Sequence, residues 1–365
     1  MSEIFLVGGA VRDELLGLPV KERDWVVVGS SEEELLNLGY ISVGKDFPVF
    51  LHPETKEEHA LARKERKVGP GHKGFEIDSN KGVSLEEDLE RRDLTINAIA
   101  KTKEGILIDP YGGLEDINNR TLRKVSDAFA EDPLRVFRVA RFAAKFDHLG
   151  FKIEKETLNT MKKISSSGEL ETLPKERLWQ ETNKALEQNS PEIYFNVLLQ
   201  VNALNVIKEI DKFDFSILGK VTEEIADPKL RWALLAKNIN SDIDELSQKL
   251  GVPKKIYEFA FVCNELFRFY YKKGSNPSAK DILNLINQVD GIRRKERFKK
   301  AINLLEFVDS IEGFLEENLL ISDELIDKLS SISPSRGLED GKEISKEIER
   351  ERLKIINLAI NENGK

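Results

Sequence analysis

Two stretches near the start of this chain carry the residue types that phosphate chemistry needs. Phe5-Leu6-Val7-Gly8-Gly9-Ala10-Val11-Arg12-Asp13 runs an apolar strand into a glycine pair and then a helix. Gly8 and Gly9 let backbone N–H groups approach an anion, and a helix start adds partial positive charge beside Arg12. Such a turn is either a phosphate cradle or a plain tight turn. Glu22-Arg23-Asp24 then leads into Trp25-Val26-Val27-Val28. On a strand, residues two apart share a face, so Glu22 and Asp24 would converge while Arg23 points away. Two hard oxygen donors on a rigid element can hold magnesium, whose octahedron substrate phosphates and water would complete. The plain alternative is a solvated strand start. The order of glycine turn, helix and carboxylate pair suits nucleotidyl transfer, in which metal ions stabilise attacking and leaving oxygens in line.

Two later segments add cations. In Leu85–Ala98, Arg92 could pair with phosphate, while Asp93 and Asn97, four apart on one helical face, could bond a ribose hydroxyl or simply serve structural ion pairs. In Glu131-Asp132-Pro133-Leu134-Arg135, Asp132 reads as an N-cap and Pro133 as the first turn of a helix. Arg135, Arg138 and Arg141 then recur every third residue, and neither Arg138 nor Arg141 has a carboxylate four residues away. Such a stripe suits a polyanion better than a self-paired surface.

The elements that must position these groups change character along the chain. Short β-rich runs at Ile4–Val7, Trp25–Val28, Val49–Leu51 and Ile106–Ile108 alternate with helical stretches at Val11–Leu16, Glu32–Leu38 and Leu85–Ala100. After Gly113 the periodicity is helical almost throughout. Breaks are expected at Gly150, at Ser165–Gly168, at Pro191, at Asp227-Pro228, at Gly251–Pro253 and at Gly274–Pro277. The 365 residues suit two to four modules, and 40% hydrophobic with 33% charged residues excludes a disordered or collagen-like chain. No run approaches the roughly 20 apolar residues that cross a bilayer, and Cys263 is the one cysteine, so a reducing cytoplasm is the expected location. A formal charge of −9 confines any nucleic-acid contact to local basic patches.

Taken together, Gly8-Gly9-x-x-Arg12-Asp13, Glu22-x-Asp24, Arg91-Arg92-Asp93-x-Thr95-x-Asn97, Asp109-Pro110-Tyr111-Gly112-Gly113-x-x-Asp116 and Glu131-Asp132-x-x-Arg135 resemble, in order, the five motifs of class II tRNA nucleotidyltransferases, the CCA-adding enzymes, and most closely the bacterial ones. Leu173-Pro174-x-Glu176-Arg177-Leu178-Trp179-x-Glu181 resembles the same family's helical neck. The resemblance implies an α+β fold. A polymerase-β-like head with a mixed sheet (residues 1–115) would be followed by an all-α neck (116–190), body (191–275) and tail (276–365) along the tRNA acceptor arm. It implies that Glu22 and Asp24 bind Mg²⁺ and assist deprotonation of the RNA 3′ hydroxyl. Gly8, Gly9, Arg12, Arg92, Arg138 and Arg141 would hold the triphosphate of CTP or ATP, and Asp132 and Arg135 would read the base.

That base assignment has its own logic. Cytosine and adenine both offer an amino donor beside a ring-nitrogen acceptor, whereas uracil and guanine reverse the pattern. A carboxylate with a guanidinium therefore admits C and A, and each mismatched contact costs about 1–3 kcal/mol. The stretch Ala62–Gly74 reads as a flexible basic loop, which the family uses in switching from C to A. Phe267–Lys273 and Arg293–Lys300 are the best downstream patches for RNA backbone, their aromatics belonging to the core, and Lys342–Lys354 reads as an exposed amphipathic helix. Histidines occur only at 52, 59, 72 and 148, and Lys237-Asn238 stands where many relatives carry a His-Asp pair, so phosphohydrolase activity is not expected. The expected assembly is a monomer or homodimer. The rivals are a poly(A) polymerase, a partial CC- or A-adding enzyme, and a silent tRNA-binding protein on the same scaffold.

Overall fold

The computed structural model describes residues 2–43, 49–67, 75–205, 213–238, 242–273, 277–313, 321–334 and 340–363. They fall into two compact units, Met1–Val206 and Ile207–Lys365.

The first unit begins β1 (Glu3–Val7), α1 (Gly9–Leu15), β2 (Asp24–Val28), α2 (Glu32–Asn37), β3 (Ile41–Ser42), β4 (Val49–Leu51), β5 (Glu58–Leu61), β6 (Lys64–Lys67), β7 (Phe75–Asp78) and α3 (Leu85–Glu90). Then come β8 (Ala100–Lys101), β9 (Leu107–Ile108), α4 (Gly113–Asn118), β10 (Thr121–Leu122), α5 (Arg135–Phe146), β11 (Lys152–Ile153), α6 (Lys155–Ser166), α7 (Lys175–Leu186) and α8 (Pro191–Gln200). Seven strands form one mixed sheet in the order β3-β4-β5-β2-β1-β8-β9, in which β2 and β5 are parallel and the other pairs antiparallel.

Strand alternation gives this sheet two apolar faces. Phe5, Val7 and Val26 pack with Leu89 and Ala98 on one side, and Val27 and Leu61 pack with Leu35, Tyr40 and Phe50 on the other. Asp24 shares the parity of Val26 and therefore belongs to the first face. α2 and α3 both start with a serine capping box, Ser31 with Glu34 and Ser84 with Glu87, which satisfies backbone donors at both helix starts. α5 buries Val136, Phe137, Val139, Ala140, Ala143 and Ala144 and packs against both α7 and α8.

Four expectations need correction. The helix expected over Leu85–Ala100 stops at Glu90, and Thr95–Asn97 is a single 3₁₀ turn. The chain leaves the helix because the Asp93 carboxylate accepts from Leu94 N–H and Thr95 N–H donates to the Arg123 carbonyl, bonds that compete with the helical ladder. β2 starts at Asp24, so Glu22 precedes the strand rather than lying on it. α5 starts at Arg135, and Asp132 instead accepts from the N–H of Leu134, two residues on. The basic segment Ala62–Gly74 is not all loop. Lys64–Lys67 pairs antiparallel with Phe75–Asp78, and residues 68–74 lie outside the described residues.

The second unit contains, among the described residues, α9 (Ser216–Lys220), α10 (Pro228–Leu234), α11 (Ile243–Lys249), α12 (Lys254–Lys273), α13 (Ala279–Gln288), α14 (Lys295–Glu312), α15 (Asp323–Ser330) and α16 (Gly341–Asn363). Trp232, Phe267, Phe298 and Ile302 are among its buried side chains, and Asp227 caps α10 with Pro228 in its first turn. No helix among the described residues is long and apolar enough to cross a membrane.

Candidate active site

All twelve residues singled out for chemistry line one cavity of about 700 Å³ in the first unit: Gly8, Gly9, Arg12, Glu22, Asp24, Arg92, Asp93, Asn97, Asp132, Arg135, Arg138 and Arg141. Five others join them: Arg63, Arg91, Phe142, Arg177 and Lys184. Nine lining side chains are cationic and four are carboxylates, so the cavity is basic within a chain of net charge −9.

The acidic corner is Glu22 and Asp24. Arg23 and Trp25 both reach Glu57 on the other face, Arg23 as an ion pair at 3.6 Å and Trp25 through a hydrogen bond of 2.8 Å. This alternation keeps Arg23 away from the cavity. Burial raises the Asp24 carboxyl above its ordinary range and Glu22 adds to the rise, while Arg92 opposes it. Among the described residues no cluster of three or more metal-ligating side chains exists. Two mutually repelling hard-oxygen donors that need a counter-charge fit a divalent cation whose remaining ligands come from a substrate.

Beside them, one residue past the Val7–Asp24 pairing of β1 and β2, is the glycine turn. Gly8 has φ +69° and ψ −128°, a conformation that side-chain-bearing residues rarely adopt, and a Cβ there would stand 2.9 Å from Arg92 Nη1. Glycine is needed for the bend, and a Cβ there would also displace that guanidinium. Arg91 and Arg92 are tethered to the fully buried Asp88 at 2.6 and 3.2 Å. Burial opposes ionisation of Asp88, but the two arginines outweigh it and hold the carboxyl below its usual range. Arg92 Nε is buried and, among the described residues, has no hydrogen-bond acceptor, a donor that an anion would satisfy.

A chain of polar contacts crosses the back of the cavity. Arg138 Nε donates to Asp93 at 2.8 Å, Asn97 Nδ2 donates to Asp93 at 2.8 Å, and Arg12 donates to the Asn97 carbonyl oxygen. Arg12 also pairs with Asp13, which Lys145 reaches at 2.9 Å. Burial lowers the pKa of Arg12, and burial followed by Arg12 lowers that of Lys145. Asp93 is held well below the ordinary range because Arg138 and Asn97 together overcome its burial. Arg141 pairs with Glu181 of α7 at 2.5 Å, and Arg138 approaches the same carboxylate at 3.8 Å. The ring of Phe142 lies 5.1, 5.8 and 4.2 Å from the guanidinium carbons of Arg12, Arg138 and Arg141, a cation–π contact that keeps three like charges on one wall. The arginine stripe therefore does have carboxylate partners, drawn from residues 45 and 40 positions away.

At the remaining edge, Asp132 pairs with Arg177 at 3.0 Å, and Arg135 donates to the carbonyls of Ala128 and Arg91. Asp109 and Asp116, from the fourth motif, act outside the cavity. Asp109 caps α4 by accepting from Gly113 and Leu114 N–H at 2.8 Å each, and Asp116 accepts from Thr95 Oγ1 at 2.6 Å, fixing the 3₁₀ turn.

Fold and site define a nucleotidyltransferase head followed by helical units. A family model described as the poly A polymerase head domain matches residues 4–123, and one described as a probable RNA and SrmB-binding site of polymerase A matches residues 150–213. The chain is 44% identical to the CCA-adding enzyme of Coxiella burnetii over 98% of its own length and 96% of the relative's. It is 46% identical to the multifunctional CCA protein of Mannheimia succiniciproducens over 82% of each chain. Among solved structures, the Bacillus stearothermophilus CCA-adding enzyme in complex with CTP shares the fold with a TM-score of 0.64 at 21% identity, covering 98% of this chain and 89% of that one. The chain belongs to the family of bacterial CCA-adding enzymes.

Downstream, Lys237 pairs with Asp214 at 3.0 Å and Glu312 at 2.8 Å, and Asn238 accepts from Asp214 N–H, so both side chains serve local packing. Arg293 and Arg294 of the proposed RNA patch pair with Asp290, and Arg294 also reaches Glu258. Phe267 and Tyr270 are buried.

Proposed function

We propose that this protein adds and repairs the 3′-terminal CCA of tRNA from CTP and ATP without a nucleic-acid template. The supporting observation is that a carboxylate pair, a wall of arginines and the Asp132/Arg135 pair all line one cavity large enough for a nucleotide. Glu22 and Asp24 would hold a divalent cation, which we take to be Mg²⁺. When bound, it lowers the pKa of the RNA 3′ hydroxyl and offsets charge developing on the α-phosphate.

The chain's own residues would do the rest. Gly8 and Gly9 let the backbone approach the triphosphate, and Arg12, Arg92, Arg138 and Arg141 neutralise and orient it. Asp132 accepts from the base amino group while Arg135 donates to the ring nitrogen, turning from the carbonyls it holds otherwise. Asp93 and Asn97 hold Arg138 and Arg12 in place, and a ribose hydroxyl would meet them only at their cavity edge. The basic segment Ala62–Gly74, standing where the family carries the loop used in switching from C to A, supports full CCA addition over partial addition. The division of residues 1–115, 116–190, 191–275 and 276–365 into head, neck, body and tail is part of this proposal. So is the lack of phosphohydrolase activity, given that no histidine follows His148.

The test is to incubate tRNA ending at the discriminator base, in C or in CC with each labelled nucleoside triphosphate and map what is added. Ordered C, C, A addition is expected. Long A tracts on any RNA would instead mark a poly(A) polymerase.

A further inference from the structure

We propose that Arg177 of α7 is a positioning residue for base selection, holding the Asp132 carboxylate at the angle from which it accepts an amino group. The inference rests on the assignment of Asp132 to base reading and adds to it the group that orients that side chain.

Asp132 lies in extended backbone (φ −108°, ψ 102°) between the 3₁₀ turn Asp127–Glu131 and α5, outside any helix or strand that would fix its side chain. Two contacts restrict it. Leu134 N–H donates to Oδ1 at 3.1 Å and Arg177 Nη2 donates to Oδ2 at 3.0 Å. Each carboxylate oxygen accepts two hydrogen bonds, so each keeps one acceptor site after these contacts. The carboxylate is thus fixed in plane yet still able to take a base amino group.

The anchor for Arg177 is rigid. One turn further along α7, Glu181 is buried and pairs with Arg141 of α5, and the next residue, Thr182, hydrogen-bonds the Tyr194 hydroxyl of α8 at 2.8 Å. Arg177 and Glu181 stand four residues apart on one face of α7, so one helix holds both the base-reading carboxylate and a triphosphate arginine. The Arg177 side chain is 31% exposed and lines the cavity, where an ion pair adds little to stability, so orientation is the larger effect of this contact. Asp132 also lies close enough to Arg138 to raise that guanidinium's pKa. Without Arg177, the carboxylate would turn toward the arginines of α5 and away from a base edge.

The experiment uses the full chain, with tRNA ending at the discriminator base and tRNA ending in CC. It measures kcat/KM separately for CTP, UTP, ATP and GTP. Arg177→Gln should lower the CTP:UTP and ATP:GTP ratios by roughly tenfold or more, the size of one lost base contact. Arg177→Lys, which keeps the charge without the planar fork, should recover part of the ratio. Because a ratio does not depend on the fraction of folded protein, partial misfolding cannot mimic the effect. In the background of Asp132→Ala, Arg177→Gln should change the ratio no further, since the two act as one unit. An unchanged ratio in Arg177→Gln, whatever the loss of rate, overturns the proposal, as does an undiminished effect in the double variant. An unchanged ratio in Asp132→Ala alone overturns the base-reading assignment itself.

Discussion

Asp24 and Glu22 differ in surroundings although only one residue separates them. Asp24 begins a strand whose next residues enter the core, and desolvation raises its carboxyl, whereas Glu22 lies in the irregular segment before the strand. Glu22→Gln and Asp24→Asn should each lower the incorporation rate about a thousandfold or more, because a divalent site supplies several kcal/mol to the transition state. The cavity wall partly desolvates Asp24, but both side chains remain open to solvent and neither packs in the core, so thermal midpoints should stay close to the parent's; a variant that keeps its rate would sink the metal assignment. His59 is buried between Trp25, Tyr40 and His52, with Nδ1 at 3.1 Å from the Glu57 carbonyl. Burial lowers its pKa, so below about 6.5 the unfolded chain takes up a proton that the folded one does not. Stability should therefore fall as pH drops through 6.5 toward the lowered value. Melting His59→Asn and the parent between pH 7.5 and 5.5 checks this: the parent should lose more, and equal losses would refute it.

The cavity depends on α5 and α7 meeting correctly, and most of what joins them is invisible in local sequence. Glycine spacing, the Glu22/Asp24 pair and the arginine stripe are local patterns, so they were legible before any fold was known. Asp88, Glu181 and Arg177 were not legible as partners because the guanidiniums and carboxylate they hold belong to other elements, and periodicity carries no information about such pairs. The same limit explains the helix wrongly extended past Glu90. Arg91, Arg92 and Asp93 have adequate helix preference, but a backbone bond from Thr95 to Arg123 and the grip of Asp116 on Thr95 decide otherwise. Glu181→Gln tests the junction of the two helices. Breaking a buried pair costs about 3–5 kcal/mol when a charge is left uncompensated, so the variant should melt several degrees lower. A bound triphosphate would restore the missing negative charge, so CTP should raise its midpoint more than it raises the parent's. Equal shifts would show that Glu181 has no bearing on the phosphate arginines.

At the scale of the molecule, net charge and local charge oppose one another. A chain of charge −9 that handles RNA must concentrate its cations, and the first unit does so in a cavity while the second pairs Arg293 and Arg294 with nearby carboxylates. Replacing Arg293 and Arg294 by alanine should raise the apparent KM for tRNA and flatten its logarithmic salt dependence by about 1 to 2 units. The KM for CTP should not change, since every cavity residue lies in the first unit. An unaltered salt slope would remove those arginines from the RNA surface. The chain's one thiol, Cys263, is buried on α12 and driven by that burial far above the range in which it ionises. A maleimide dye should therefore pass it by, so that a cysteine introduced at an exposed position outside the cavity would be the single labelled site for fluorescence measurements.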